Sequence, residues 1–244
     1  MLRRKIGGLN FKMTIKKHDF IEIDYTGKME EQVFDTTREK DAKEAGMTNP
    51  GFEYKPMIIC VGENQVIKGV DARLEGKEIG KEYDFKVPPE EGFGKKDPKM
   101  LRMVPLRIFK EQNINPMPGL QVNIDSVVGT IKTVGGGRAI VDFNHPLSGR
   151  DVEYKVKINR IVSDTKEKLE SYLKFFLGEV KVELNDGKAK AFVENELEEK
   201  VKENLKNKCK ELIKVDVEFV KKAKVEEKPK EQEQLSKEEK KVSE

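Results

Sequence analysis

Tyr25-Thr26-Gly27 continues a predicted strand, and three comparable stretches follow it along the chain: Phe34-Asp35, Val66-Ile67-Lys68-Gly69 and Gly92-Phe93-Gly94. Each stretch places aromatic or branched apolar side chains next to a glycine or at the end of a strand. Taken singly, such residues usually belong to a core. Asp35 is different, because an Asp directly after a strand aromatic is a poor strand former. Asp35 is therefore either a turn or cap residue or a polar group at the rim of a pocket.

The segments around these stretches carry apolar residues with the spacing of regular secondary structure. We predict strands at residues 20–24, 57–61, 83–87 and 152–162, and the strict alternation of the last one indicates a single buried face. Residues 64–74 carry their apolar side chains on one side, which predicts a short helix. The polar, glycine-containing residues 36–55 predict a long surface excursion.

In order and spacing, the four stretches together resemble the FKBP prolyl isomerases over residues 19–162. The resemblance implies an α+β fold in which a half-wrapped antiparallel sheet packs on the short helix. It also implies that the proline ring of a substrate lies between the sheet and this helix. Carried over onto this chain, the pocket is formed by Tyr25, Phe34, Asp35, Met57, Val66, Ile67, Val70, Phe93, Leu147 and Tyr154.

Two of these positions depart from the pattern of the family. Val70 stands where many relatives place a tryptophan at the floor of the pocket, and Phe93 stands where most place a tyrosine. Phe93 therefore lacks a hydroxyl group that could bind the substrate carbonyl. We expect isomerase activity to survive in a weaker form.

Residues 95–142 form an insertion between Gly94 and the closing strand, and their short strands and turns predict a compact, mostly β unit. The position of this insertion, and the return through Asn144-His145-Pro146, resemble SlyD-like FKBPs, in which an inserted domain binds unfolded chains. His145 itself is interpreted as a turn residue. We expect part of the apolar set of the insertion to remain exposed for capture of such chains: Leu101, Met103, Val104, Leu106, Ile108, Phe109, Met117 and Leu120.

Residues 164–222 predict a third unit with the order α-β-β-α-β, in which Asn185-Asp186-Gly187 is a strong hairpin signal. This unit resembles the extra C-terminal domain of long archaeal members of the family, and we expect it to serve association, as a homodimer. The predicted organisation is a disordered extension at residues 1–12, a catalytic domain at 13–94 plus 143–163, the inserted domain at 95–142, the C-terminal domain at 164–222 and a disordered charged tail at 223–244.

Composition excludes several classes of function. The chain has 244 residues, of which 38% are charged, yet its net charge is only +3 and the two signs are interspersed, which argues against a nucleic-acid footprint. Cys60 and Cys209 lie far apart, as do His18 and His145, so we expect neither a metal nor another cofactor. No stretch approaches the ~20 apolar residues of a membrane span, and we expect a cytoplasmic protein.

The sequence therefore predicts a peptidyl-prolyl cis–trans isomerase and folding chaperone, whose partners are unfolded or nascent polypeptides with X–Pro bonds. One alternative is a non-catalytic chaperone that holds unfolded chains on the same scaffold, favoured by Val70 and Phe93. A second alternative, a nucleic-acid binder, rests on the basic start and the Lys-rich tail, but a solvated charge run explains both.

Overall fold

The computed structural model describes residues 14–47, 51, 53–185 and 187–221. The predicted extension at residues 1–12 and the predicted tail at 223–244 lie outside the described residues. The chain divides into two compact units, Met1–Phe175 and Phe176–Glu244. In the part of the chain that the structure describes, no helix is long and apolar enough to cross a membrane.

Strands and a few helices alternate along the chain. The strands are β1 (Phe20–Met29), β2 (Gln32–Thr36), β3 (Met57–Cys60), β4 (Glu82–Val87), β5 (Leu101–Pro105), β6 (Gln121–Ile124), β7 (Val127–Gly135), β8 (Arg138–Asp142), β9 (Val152–Ile161), β10 (Lys181–Asn185), β11 (Lys188–Val193) and β12 (Asp216–Lys221). The α-helices are α1 (Glu39–Glu44), α2 (Lys68–Leu74), α3 (Leu106–Glu111), α4 (Thr165–Leu177) and α5 (Glu199–Leu212). The predicted α+β class, with mostly antiparallel sheets and few helices, is confirmed.

A five-stranded antiparallel sheet forms the centre of the first unit. Its order is β2-β1-β9-β4. Strands β2 and β3 both pair with β1: β3 with the first half of β1, and β2 with the second half. Alternate residues of β1 and β9 are fully buried and form one core with the apolar side of α2: Ile21, Ile23, Val156, Ile158, Val70 and Leu74. One face of the sheet therefore shares its core with the short helix α2.

Helix α2 approaches the sheet closely because Gly69 has no side chain. A Cβ at Gly69 would collide with the Cγ1 methyl of Val87 on β4. The same helix fixes the turn that precedes it, since the buried carboxylate of Asp71 accepts the backbone N–H groups of Gly62 and Asn64, both at 2.8 Å. The glycine of the Val66-Ile67-Lys68-Gly69 stretch thus has a packing role.

Residues 101–142 form a second antiparallel sheet within the first unit, with the order β5-β8-β7-β6. Its core is built from Val104, Phe109, Val122, Ile131, Ala139, Val141 and Phe143. The sequence analysis predicted only strands and turns here, so helix α3 was not predicted. It follows Pro105, whose fixed φ of −60° suits the residue before a helix. The two connections to this sheet bind each other, because Asp97 N–H donates to Asn144 Oδ1 at 2.8 Å and Gly149 N–H donates to the Gly94 carbonyl at 2.8 Å.

Helix α4 begins at Thr165, beside the predicted boundary at residue 164, but most of it belongs to the first compact unit. The ring of Tyr172 packs edge-on against Phe20 of β1 with 6.4 Å between centroids. Arg160 of β9 binds Glu167 of the helix as well as Glu22 of β1. This apolar contact and these ion pairs attach the helix to the sheet.

The second unit contains a three-stranded sheet with the order β10-β11-β12. Strands β10 and β11 form a hairpin with Gly187 at a φ of +76°, and β11 pairs in parallel with β12. Helix α5 makes the crossover that a parallel pair requires. It buries Leu205 and Cys209, and burial raises the pKa of the Cys209 thiol to about 12.

Candidate functional site

The candidate site lies where β1, β2 and β9 run side by side. Gly27 of β1 is opposite Tyr154 of β9 on one side and Asp35 of β2 on the other. A Cβ at Gly27 would lie 2.9 Å from Phe34 Cζ and 3.1 Å from Tyr154 Cε1. The glycine therefore leaves the space in which two aromatic rings from neighbouring strands meet.

Phe34 owes its orientation to an irregularity in strand pairing. Gly27 pairs with Asp35, but the next residue, Lys28, pairs with Val33, so Phe34 is an extra residue in a β-bulge. Bulges redirect side chains and are frequent beside active sites. Here the bulge belongs to the strand that carries both Phe34 and Asp35.

Four aromatic rings form a continuous cluster, which we call the aromatic pocket: Tyr25, Phe34, Phe93 and Tyr154. The ring of Phe34 meets Phe93 and Tyr154 edge-on, with 5.7 Å between centroids in each case. Tyr25 and Tyr154 lie 6.0 Å apart at an angle of 44°. Three of the four rings are only partly buried, so the cluster combines an apolar wall with access from solvent.

Residues next to helix α2 pack against the same core. Val66 and Ile67 immediately precede the helix and are half-buried, as is Met57 at the start of β3, whereas Val70 is only 1% exposed. Val70 thus belongs to the buried core on which these three side chains pack.

Asp35 is the charged group of the site. It is exposed, and its Oδ2 accepts a hydrogen bond from the Tyr25 hydroxyl at 3.0 Å. Burial, followed by the charge of Asp35 and this hydrogen bond, raises the pKa of Tyr25 well above its ordinary value. Burial and the same charge also raise the pKa of Tyr154. Both phenols therefore stay protonated at neutral pH, and the Tyr25 hydroxyl is committed to Asp35.

The structure brings nine of the ten predicted pocket residues to this region. Eight of them pack on one core, and Asp35 is joined to them by its hydrogen bond with Tyr25. Leu147 differs, because it is half-buried in the loop after β8 and is not among the described residues that pack on this core. His145 was missed: its ring stacks on Phe93, with 4.8 Å between centroids and 3° between planes. The chain order carries no signal for this contact, because the whole inserted sheet separates the two residues in sequence.

The chemistry available in the described residues is that of binding and orientation. No group of three or more His, Cys, Asp or Glu side chains in the described ranges is arranged to hold a metal ion. A separate polar cleft of about 500 Å³ lies beside α1 and is lined by charged and polar residues that include Lys28, Arg38, Asp41, Glu82 and Lys155. It shares no residue with the aromatic pocket, and its polar lining does not suit a proline ring.

Comparison with known proteins identifies the family. A family model described as FKBP-type peptidyl-prolyl cis-trans isomerase matches residues 12–106. The chain is 30% identical over 147 residues to a short-type peptidyl-prolyl cis-trans isomerase of Methanocaldococcus jannaschii, across 60% of this chain and 94% of the relative. The chain belongs to the FKBP-type peptidyl-prolyl cis-trans isomerases.

Other FKBP relatives carry the name SlyD. The Haemophilus influenzae protein is 30% identical over 109 residues, which are 43% of this chain and 56% of that protein. The Helicobacter pylori protein is 26% identical over 149 residues, which are 59% of this chain and 76% of that protein. A second family model, described as the IF domain of FKBP26, matches residues 102–147, and this range coincides with the sheet formed by β5 to β8.

Proposed function

We propose that this FKBP isomerises X–Pro bonds in the aromatic pocket, with the proline ring held against Phe34, Tyr154 and the residues before α2. The observation that carries the proposal is the ring cluster around Gly27, where Phe34 contacts both Phe93 and Tyr154 edge-on. The small apolar ring of proline fits such a cluster through dispersion and area burial alone. A charged or strongly polar substrate would lose hydration there without compensation.

The mechanism requires no nucleophile. Rotation about an X–Pro bond faces a barrier of ~18–20 kcal/mol, because the amide has partial double-bond character. At the twisted transition state this resonance is lost and the amide is less dipolar. An apolar, water-poor pocket therefore disfavours the planar ground state relative to the transition state. Asp35 holds the Tyr25 hydroxyl and so orients one wall of the pocket.

A protease-coupled assay on a proline-containing tetrapeptide tests this proposal. We expect Phe34→Ala to lower kcat/KM by about tenfold or more, because it removes the central ring of the cluster. If Phe34 also serves as a core residue, the substitution lowers the free energy of unfolding by about 2–5 kcal/mol. Circular dichroism and the unfolding midpoint are therefore measured to show that the variant is folded. Phe176→Ala, in the second unit, is the matched control. A folded Phe34→Ala variant with full activity would falsify the assignment of the pocket.

The alternative function is a non-catalytic chaperone on the same scaffold. Val70 and Phe93 favour it, because many relatives have a tryptophan at the first position and most have a tyrosine at the second. The same assay discriminates between the two functions. An inactive wild-type chain that still suppresses aggregation of an unfolded protein would establish the alternative.

We further propose that the inserted sheet captures unfolded chains on its outer face. Leu101 and Met103 of β5 are 47% and 65% exposed, Val128 of β7 is 60% exposed, and Ile140 of β8 is 37% exposed. Met103 and Ile140 are paired across the strands, so these side chains lie on one face, opposite the core. Large exposed apolar groups that cluster in this way mark binding surfaces.

The position of β5 adds a second mode of capture. Strand β5 stands at the end of the order β5-β8-β7-β6, and an extended peptide can add to such an edge through backbone hydrogen bonds. The connections at residues 94–97 and 144–149 bind each other, which keeps the insert tethered beside the pocket. Capture on the insert would thus raise the effective concentration of X–Pro bonds at the pocket.

A surface variant tests the role of the insert. Leu101→Thr, Met103→Thr and Ile140→Thr together remove three of the four exposed apolar groups but keep residues that suit strands. We expect activity on a tetrapeptide to persist, whereas catalysis of proline-limited protein refolding falls by about one to two orders of magnitude because tethering is lost. Unchanged refolding catalysis in a folded triple variant would contradict capture by this face.

A further inference from the structure

Helix α1 is bound to the face of the central sheet opposite the aromatic pocket. Side chains alternate between the two faces of a strand, so Tyr25 and Gly27 of β1 face the pocket and Thr26 between them faces away from it. The Thr26 hydroxyl donates a hydrogen bond to Asp41 Oδ2 of α1. Ala42, the next residue of the helix, is fully buried. The helix is therefore attached to the back of a strand that forms the pocket wall.

The contact between Thr26 and Asp41 continues to the neighbouring strand. Thr36 of β2 pairs with Thr26, and their two buried hydroxyl oxygens lie 2.9 Å apart. The backbone N–H of Arg38, at the start of α1, donates to Thr36 Oγ1 at 3.0 Å. Helix α1 and the residue before it thus bind both members of a cross-strand pair.

Asp41 sets the direction of these hydrogen bonds. A hydroxyl group has one proton to donate, whereas a carboxylate only accepts. The proton of Thr26 goes to Asp41, so Thr26 accepts from Thr36 and does not donate to it. The Thr36 hydroxyl also lies 3.0 Å from the Tyr25 carbonyl oxygen, which connects the same chain of hydrogen bonds to the backbone of a pocket residue.

The pair of threonines lies next to the irregularity that shapes the pocket. After Thr26 and Thr36, the next pair is Gly27 with Asp35, and there the register shifts and leaves Phe34 as the extra residue of the bulge. A slip of one residue in strand pairing would turn each side chain to the other face of the sheet. The bound threonines therefore hold the register from which the bulge presents Phe34 and Asp35.

We propose that Asp41 is a positioning residue of the isomerase site. It orders the hydrogen bonds of Thr26 and Thr36 from the back of the sheet, and these fix the strand register that places Phe34 in the aromatic pocket. The assignment rests on the proposed isomerase function and deepens it. The polar cleft of about 500 Å³ borders both Thr26 and Asp41, so a different side chain at residue 41 has room beside the sheet.

Three variants of the full chain isolate this acceptor. Asp41→Leu removes the acceptor, Asp41→Asn keeps an oxygen acceptor without the charge, and Thr26→Val removes the donor but keeps a branched side chain. We expect Asp41→Leu and Thr26→Val to lower kcat/KM on a proline-containing tetrapeptide by roughly three- to tenfold, the effect of one lost hydrogen bond. Asp41→Asn should retain most of the activity.

Glu44→Leu is the matched control. Glu44 follows Asp41 by about one turn of α1, lines the same cleft and pairs with Lys40 of the same helix at 3.7 Å. We expect it to keep the activity of the wild type. All assays are made well below the unfolding midpoint of each variant, so that folded chains are compared.

Two further measurements separate positioning from a contribution to stability alone. If the two residues act through one contact, the double variant of Thr26→Val and Asp41→Leu loses no more activity than either single variant. The ring signals of Tyr25 in nuclear magnetic resonance, assigned with Tyr25→Phe, should shift in Asp41→Leu and stay unchanged in Glu44→Leu. A role in stability alone would leave these signals of the folded chain in place.

Full activity of a folded Asp41→Leu variant overturns the inference, and so do additive losses in the double variant or an equal loss in Glu44→Leu. If Asp41→Leu does not fold, Thr26→Val decides in the same way, with full activity as the contradicting result. Each of these results leaves the proposed isomerase function intact. An inactive wild type would instead overturn that function, and this inference with it.

Discussion

Gly27 has a hydrogen atom where any other residue would place a Cβ between the rings of Phe34 and Tyr154. We expect Gly27→Ala to lower kcat/KM by about tenfold or more, because at least one ring must move out of the cluster. Gly135→Ala is the matched control, since a Cβ at Gly135 meets no atom within 4 Å. Tetrapeptide assays and near-ultraviolet circular dichroism check both variants. Equal losses in the two would contradict a specific role for Gly27.

The phenols of Tyr25 and Tyr154 also affect stability at alkaline pH. The pKa values of Tyr25 and Tyr154 are raised in the native chain, first by burial and then by Asp35. Unfolded tyrosines ionise near pH ~10, so the native state retains protons there that the unfolded state has lost. The stabilisation from these groups is complete below about pH 10 and is lost as the pH rises toward their native pKa values.

We therefore expect the free energy of unfolding to fall as the pH rises above about 10, and to fall less in Tyr154→Phe. Urea unfolding at several pH values measures this slope, with Tyr54→Phe as the control. An unchanged slope in Tyr154→Phe would show that the raised pKa of this residue has no bearing on folding.

At the scale of elements, hydrogen bonds join helix α2 to the turn before it. Asp71 on the helix accepts two backbone N–H groups of the turn, and this turn leads directly into Val66 and Ile67. Asp71→Ala removes the acceptor of these two partly buried N–H groups. We therefore expect the free energy of unfolding to fall by about 1–3 kcal/mol. We also expect lower tetrapeptide activity, because the wall of the pocket loses its anchor.

Chemical denaturation compares this variant with Asp84→Ala, a change at an exposed residue of β4. Asp84→Ala should shift the unfolding midpoint little, since surface substitutions usually stay within about 0.5 kcal/mol. If both variants unfold at the same denaturant concentration as the wild type, Asp71 does not hold the turn.

At the scale of the whole molecule, the second unit is the candidate for association. In its sheet, β10 and β12 stand at the two ends of the order, and Phe176 and Val201 are 49% and 39% exposed. Open sheet edges and exposed apolar groups are covered when two copies pair. We propose that this unit forms a homodimer and that catalysis does not require it.

Light scattering on the full chain and on a chain that ends at Leu177 tests the dimer. This end point keeps helix α4, whose Tyr172 packs on Phe20 of the first unit. We expect a dimer for the full chain and an active monomer for the shortened one. Two monomers would exclude self-association, and client binding would then be the better proposal for this unit.

The sequence by itself determined the features that depend on neighbouring residues. Alternation over 152–162 predicted β9, one-sided apolar spacing predicted α2, and Asn185-Asp186-Gly187 predicted the hairpin between β10 and β11, because local periodicity and turn chemistry follow from a few adjacent residues. The four quoted stretches also led to the FKBP family, because their order and spacing resemble those of its members.

Only the tertiary structure decided the features that join distant parts of the chain. These are the bulge that redirects Phe34, the stacking of His145 on Phe93, the attachment of α4 to Phe20 and the parallel pairing of β11 with β12. Each depends on which segments meet in space, and a register shift of one residue reverses the face on which a side chain lies. No pattern within a single segment contains that information, so these contacts became visible only in the folded chain.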